Sequence, residues 1–182
     1  MKKESLRVFA TIGTLWVAAA TLKCTSDIQS VNGGGASQVL AVPPRTGFEV
    51  VADAMQLHCG TLDCHGQIGQ NMRLYGQYGL RLVPTFDPLT QPTDPTEYDA
   101  TYQAIVGLEP EALSLVVQNL APADSLSLIR KPSGIEGHQG GVLFLPGDPL
   151  DRCILGWVTS TIDFAACALV SGEPRPSIVI AH

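Results

Sequence analysis

Thr46-Gly47-Phe48-Glu49-Val50-Val51-Ala52-Asp53-Ala54-Met55-Gln56-Leu57-His58-Cys59-Gly60-Thr61-Leu62-Asp63-Cys64-His65 is the stretch from which the rest of the chain is read. Phe48, Ala52, Met55 and Cys59 recur at i, i+4, i+7 and i+11, one face of a 3.6-residue period. Thr46, with Glu49 three residues on, has the form of a capping box, so a helix is predicted from there to about His58. The apolar stripe carries Cys59 to the core, and Cys64 and His65 follow after a four-residue turn.

Downstream of His65 the chain passes through Gly66, Gly69, Gly76 and Gly79. It then runs from Val83 to Pro95 with four prolines, a segment that reads as irregular surface loop. Tyr75 and Tyr78 read as packed aromatics of that Gly-rich region. A second helix is predicted from Thr96-Glu97-Tyr98-Asp99, another capping-box pattern, with Tyr98, Tyr102 and Ile105 on one face. A third begins near Pro110 at N1 and carries Leu113, Val116, Val117 and Leu120. Ser125 to Arg130 predicts a further short helical turn. The last helix has Asp148 at the N-cap, Pro149 at N1 and Asp151 at N3, with Leu150, Cys153, Ile154, Trp157 and Val158 on one face. Only Val142 to Leu145 and Ile178 to Ile180 have the look of strand.

Upstream, Met1 to Arg7 is basic and Val8 to Leu22 is uncharged and mostly apolar, shorter than the roughly 20 residues that span a bilayer. Residues 1–23 therefore read as a signal peptide. Ala18-Ala19-Ala20 suits an ordinary peptidase. Thr21-Leu22-Lys23-Cys24 resembles a lipoprotein processing site with Lys23 in place of the usual small residue, so Cys24 is a candidate lipidation site and soluble release is the alternative. Residues 24–45, rich in Gly, Ser, Gln and Asn and closed by Pro43-Pro44, read as a flexible tether. Residues 46–171 read as one domain, and 172–182 as a frayed tail.

The net charge of the 182 residues is −6, with eleven basic and seventeen acidic side chains. Residues 1–23 hold four of the basic and one of the acidic residues, so the mature chain carries −9. No basic cluster exists to replace the counterions of a nucleic acid, whereas an acidic surface suits a basic protein partner. In an oxidising compartment five cysteines are normally accounted for as lipid, disulfide or cofactor attachments. Cys153 and Cys167, with no histidine nearby, predict a structural disulfide.

Cys59, Cys64 and His65 admit three chemistries. Thiols add to the two vinyl groups of haem as thioethers, and a histidine beside the second sulfur is then held under the macrocycle, within reach of the iron. The same cysteines can instead close a disulfide across the turn, with His65 a surface side chain. A zinc ion held by Cys59, Cys64, His65 and one further ligand such as His58 is the third reading. For a second axial ligand to iron, His138 in its glycine-flanked loop is preferred, with Met72, seven residues after His65, as the alternative.

The cysteine pair and its histidine resemble the haem-attachment motif of c-type cytochromes, with four residues between the cysteines where two are usual. From about Phe48 to Cys167 the chain is similar to that family. The helix leading into Cys59 and the helix holding Trp157 look like its two crossing terminal helices. Arg130-Lys131-Pro132 to His138-Gln139-Gly140-Gly141 is similar to a stretch in cytochrome-like lipoproteins of planctomycetes and myxobacteria. The resemblance implies a mainly α, small cytochrome c-like helical domain with long irregular loops. It also implies one covalent haem c and one-electron transfer, not catalysis, with redox protein partners in the periplasm or outer cell envelope. The rival expectation is a disulfide-stabilised envelope lipoprotein with a degenerate cytochrome fold that binds a protein and carries no cofactor.

Overall fold

Phe48 begins the first helix because Gly47 stands just before it in the left-handed region at φ 80°. A Cβ on Gly47 would lie 3.0 Å from the Phe164 ring, so the entry to the helix is both strained and crowded for any other residue. The computed structural model describes residues 39–172. Signal peptide, Cys24, most of the tether, the strand expected at 178–180 and nearly all of the tail lie outside the described residues.

Six α-helices follow one another: α1 Phe48–Cys59, α2 Pro95–Val106, α3 Pro110–Val117, α4 Ser127–Arg130, α5 Pro149–Val158 and α6 Phe164–Ser171. A 3-10 turn, Ala123–Ser125, precedes α4. The domain is mainly α with long irregular connections, as the sequence predicts. Among the described residues no helix is long and apolar enough to cross a membrane.

The core is built where α1 packs against α2, α5 and α6. Phe48 on α1, Tyr102 on α2 and Trp157 on α5 meet there, with ring centroids 5.4 Å, 4.8 Å and 6.1 Å apart. Residues 41–45, expected as the end of a tether, are tied to this cluster. Tyr102 donates its hydroxyl to the Pro43 carbonyl, the Trp157 indole donates to that of Pro44, and Ala41 N–H donates to the Ser114 hydroxyl.

Several boundaries differ from expectation. Thr46 does not cap α1: Gly47 is its N-cap with no side-chain bond, and the Glu49 carboxylate is taken by Arg45 at 2.6 Å. The capping box of α2 is Asp94 with Glu97, two residues earlier than Thr96, whose hydroxyl donates to Asp94 instead. Helix α3 stops at Val117, leaving Leu120 exposed. The short helix expected from Ser125 begins at Ser127, behind the 3-10 turn. Asp148 does precede α5, but its carboxylate accepts from Leu145 N–H, upstream of the helix. Val142 to Leu145 forms no strand, because Leu143 and Phe144 both donate to one carbonyl, that of Pro132, and find no ladder.

Helix α5 is not the last. Helix α6 was unforeseen, because its run Phe-Ala-Ala-Cys-Ala-Leu-Val is apolar all round and has no periodic polar face to reveal it. Its N-cap Asp163 accepts from Ala166 N–H at 2.9 Å. The expected disulfide Cys153–Cys167 joins α5 to α6 across a Cα separation of 4.8 Å.

Candidate functional site

Helix α1 ends when Gly60 N–H closes onto the Gln56 carbonyl, and the chain then folds back on itself. Cys64 N–H and Gly66 N–H both donate to the Thr61 carbonyl, and His65 N–H donates to that of Cys59 at 3.0 Å. The turn is tight enough that a Cβ on Gly66 would stand 2.3 Å from the Gly60 carbonyl oxygen. Glycine at 66 is thus what lets His65 return beside the end of the helix.

His65 is fixed twice more. Its carbonyl accepts from Leu74 N–H, and its ring Nδ1 lies 3.0 Å from the Met72 carbonyl. A carbonyl only accepts, so Nδ1 carries the proton and Nε2 keeps its lone pair. His138 repeats the arrangement: its Nδ1 is 3.1 Å from the Gly141 carbonyl, which leaves Nε2 bare. The two rings lie nearly parallel, with 19° between their planes and centroids 6.2 Å apart.

Burial, foremost, holds the His65 imidazole below the usual histidine range, and the nearby His138 and Lys131 push the same way. A neutral ring is the form that ligates.

Both imidazoles, Met72 and Cys59 line one cleft of about 230 Å³, walled by Met55, Leu108, Leu128, Leu143 and Ile154. Cys64 is half-buried in the turn and is not part of the lining. Of the lining residues, Ser127, Leu108, Leu128 and Leu143 were not singled out by sequence, and Lys131 only as part of a quoted stretch. Met55 and Ile154 had a signal, their places on the α1 and α5 stripes.

The thiols of Cys59 and Cys64 are free, not joined as a disulfide. Burial, with the adjacent Cys64 adding to it, pushes the Cys59 thiol up to about 12. Nor is the zinc arrangement assembled: His58 Nε2 donates to the Val170 carbonyl of α6, and among the described residues no three His, Cys, Asp or Glu side chains gather to hold a metal. No protein-family profile, curated protein or solved structure matches the chain.

Proposed function

We propose that this chain is an electron carrier of the cell envelope that holds one covalent haem c between His65 and His138. The observation that carries the reading is that His65 and His138, each with Nδ1 anchored to a backbone carbonyl and Nε2 left to ligate, line one cleft together with Cys59. The donor set fits the group. Cys59, His65 and His138, gathered at one cleft with apolar walls, are the thiol and imidazole donors that would hold a covalent haem.

When bound, haem supplies an iron that takes up and releases one electron. The chain's own residues do the rest. Cys59 and Cys64 offer the sulfurs for attachment, and His65 Nε2 the proximal nitrogen. The Met72 carbonyl orients the His65 ring and raises its basicity, as outer partners of metal-bound histidines do. That same bond puts the Met72 backbone behind the ring, away from Nε2, which favours His138 over Met72 as the second ligand. The apolar walls keep water from the site and lower its dielectric. With two imidazoles the potential should fall below that of a His/Met pair. The acidic surface suits a basic redox partner, and Cys24 belongs to the same proposal as a lipid tether to the membrane.

The test is the full chain produced in a host with haem-maturation machinery. A coloured product, heavier by one haem and showing reduced α and Soret bands, is the expected result, and His138→Ala should change its spectrum without releasing the group. A colourless product of unchanged mass would overturn the proposal and leave the cofactor-free, protein-binding scaffold as the better reading.

A further inference from the structure

Lys131 is the C-cap of α4 and lines the cleft beside Ser127, Leu128 and Pro132, next to both imidazoles. The other polar lining residues are weaker candidates for an anion. The Ser127 hydroxyl already donates to the Glu109 carboxylate, and Gln70 and Asn71 are neutral. Arg73 bonds the Gln70 carbonyl but does not reach the lining.

The acid paired with Lys131 is Glu136, and Lys131 shares it with Arg130. Arg130 holds Glu136 at 2.9 Å, whereas the Lys131 ammonium stands 3.6 Å away, beyond a hydrogen bond. One carboxylate between two cations leaves a positive charge over, and Lys131, in the looser contact and 45 % exposed, has room to move. An otherwise mostly apolar cleft in an acidic chain therefore carries one cationic side chain with charge to spare.

We infer that Lys131 holds an anionic side arm of the bound group, a porphyrin carboxylate, at the α4 rim of the cleft and so raises the midpoint potential. The inference rests on the haem reading above and adds to it an orientation: the carboxylate edge lies toward α4. A cation at that place favours the reduced iron, which carries one positive charge fewer than the oxidised form. Removing it therefore lowers the potential, and the half-exposed position means that added salt shrinks the effect.

The experiment uses the full chain, matured with haem, as wild type, Lys131→Gln, Lys131→Arg and Glu136→Gln. Absorbance and mass are read first, then the midpoint potential at low and high salt. Lys131→Gln should lower the equilibrium constant for reduction roughly three- to tenfold, about 28 to 59 mV for one electron, with an unchanged spectrum. Lys131→Arg should keep the wild-type potential, and Glu136→Gln should raise it by freeing the lysine. A Lys131→Gln potential within twofold of wild type in that constant, an arginine variant as low as the glutamine one, or a Lys131→Gln spectrum with a changed ligand set would each overturn the inference while leaving the haem reading standing. A colourless wild type defeats both.

Discussion

Gly66→Ala isolates the turn on which the site depends. The new methyl would lie 2.3 Å from the Gly60 carbonyl oxygen and 2.9 Å from that of Thr61. Ordinary carbon-to-oxygen contact is about 3.3 Å or more, so the overlap is about 1 Å, and both neighbours are backbone that cannot rotate aside. Relief requires opening the turn, which breaks the Gly66 to Thr61 hydrogen bond and strains the one from His65 to Cys59. Two such bonds at about 0.5–1.5 kcal/mol each give about 1–3 kcal/mol, the same range as overpacking a core. Gly69→Ala is the control: a Cβ there, on the cleft lining, meets nothing within 4 Å, so a change below about 0.5 kcal/mol is expected. Urea denaturation followed by the fluorescence of buried Trp157 measures both, and the dependence on urea should be the same for the two variants. Equal midpoints for Gly66→Ala and Gly69→Ala would show that the turn is not held as described.

Three further outcomes are expected. In protein made without haem-maturation machinery, iodoacetamide should label half-buried Cys64 and spare Cys59, because a thiol pushed up to about 12 is ionised in only about one molecule in ten thousand at pH 8, and labelling of Cys59 should quicken about tenfold per pH unit from 8 to 10. Equal rates at the two cysteines, read by peptide mass, would contradict the burial of Cys59. Replacing Cys153 and Cys167 together with alanine should cost about 3 kcal/mol for a loop of this size, measured by urea unfolding against the oxidised parent. Glu97→Ala should cost about 3–5 kcal/mol, since it strands the buried Arg81 guanidinium 3.0 Å away and removes the acceptor for Leu82 and Asp94 N–H. Its signature is early proteolytic cleavage in the proline-rich loop 83–95 that this carboxylate ties to α2.

Much of the helical layout was legible because it rests on local periodicity. The stripes of α1 and α5 survive in the core as read, and Pro110 and Pro149 mark helix starts by chemistry that needs no tertiary context. Caps were less legible, since several acceptors of the right type stand near each start and the fold chooses among them: Arg45 claims Glu49, and Asp94 displaces Thr96. Helix α6 was hidden for the opposite reason, having no polar face to set a period. At the site, Cys59, Cys64 and His65 announced themselves by spacing and His138 by its glycines. The Met72 carbonyl that orients His65 could not be foreseen, because a backbone oxygen leaves no mark in the sequence. Lys131 acquires meaning only once α4 sets it beside the imidazoles.

The placement of α6 bears on the site as well as on stability. His58 and Cys59 are adjacent on α1 and therefore point about 100° apart. His58 is bonded to the Val170 carbonyl of α6, and Cys59 faces the cleft. The disulfide fixes α6 to α5, so the last turn of α1 is clamped from behind while it presents Cys59, and through the tight turn His65, in front. His138 has no comparable support: its ring is bonded only within its own glycine-bearing loop, to Gly141, where φ is 72°. One imidazole thus stands on the rigid core and the other on a loop that local backbone geometry holds in place. Loosening α6 should disturb the His65 side of the cleft, and stiffening or cutting the loop should disturb only the His138 side.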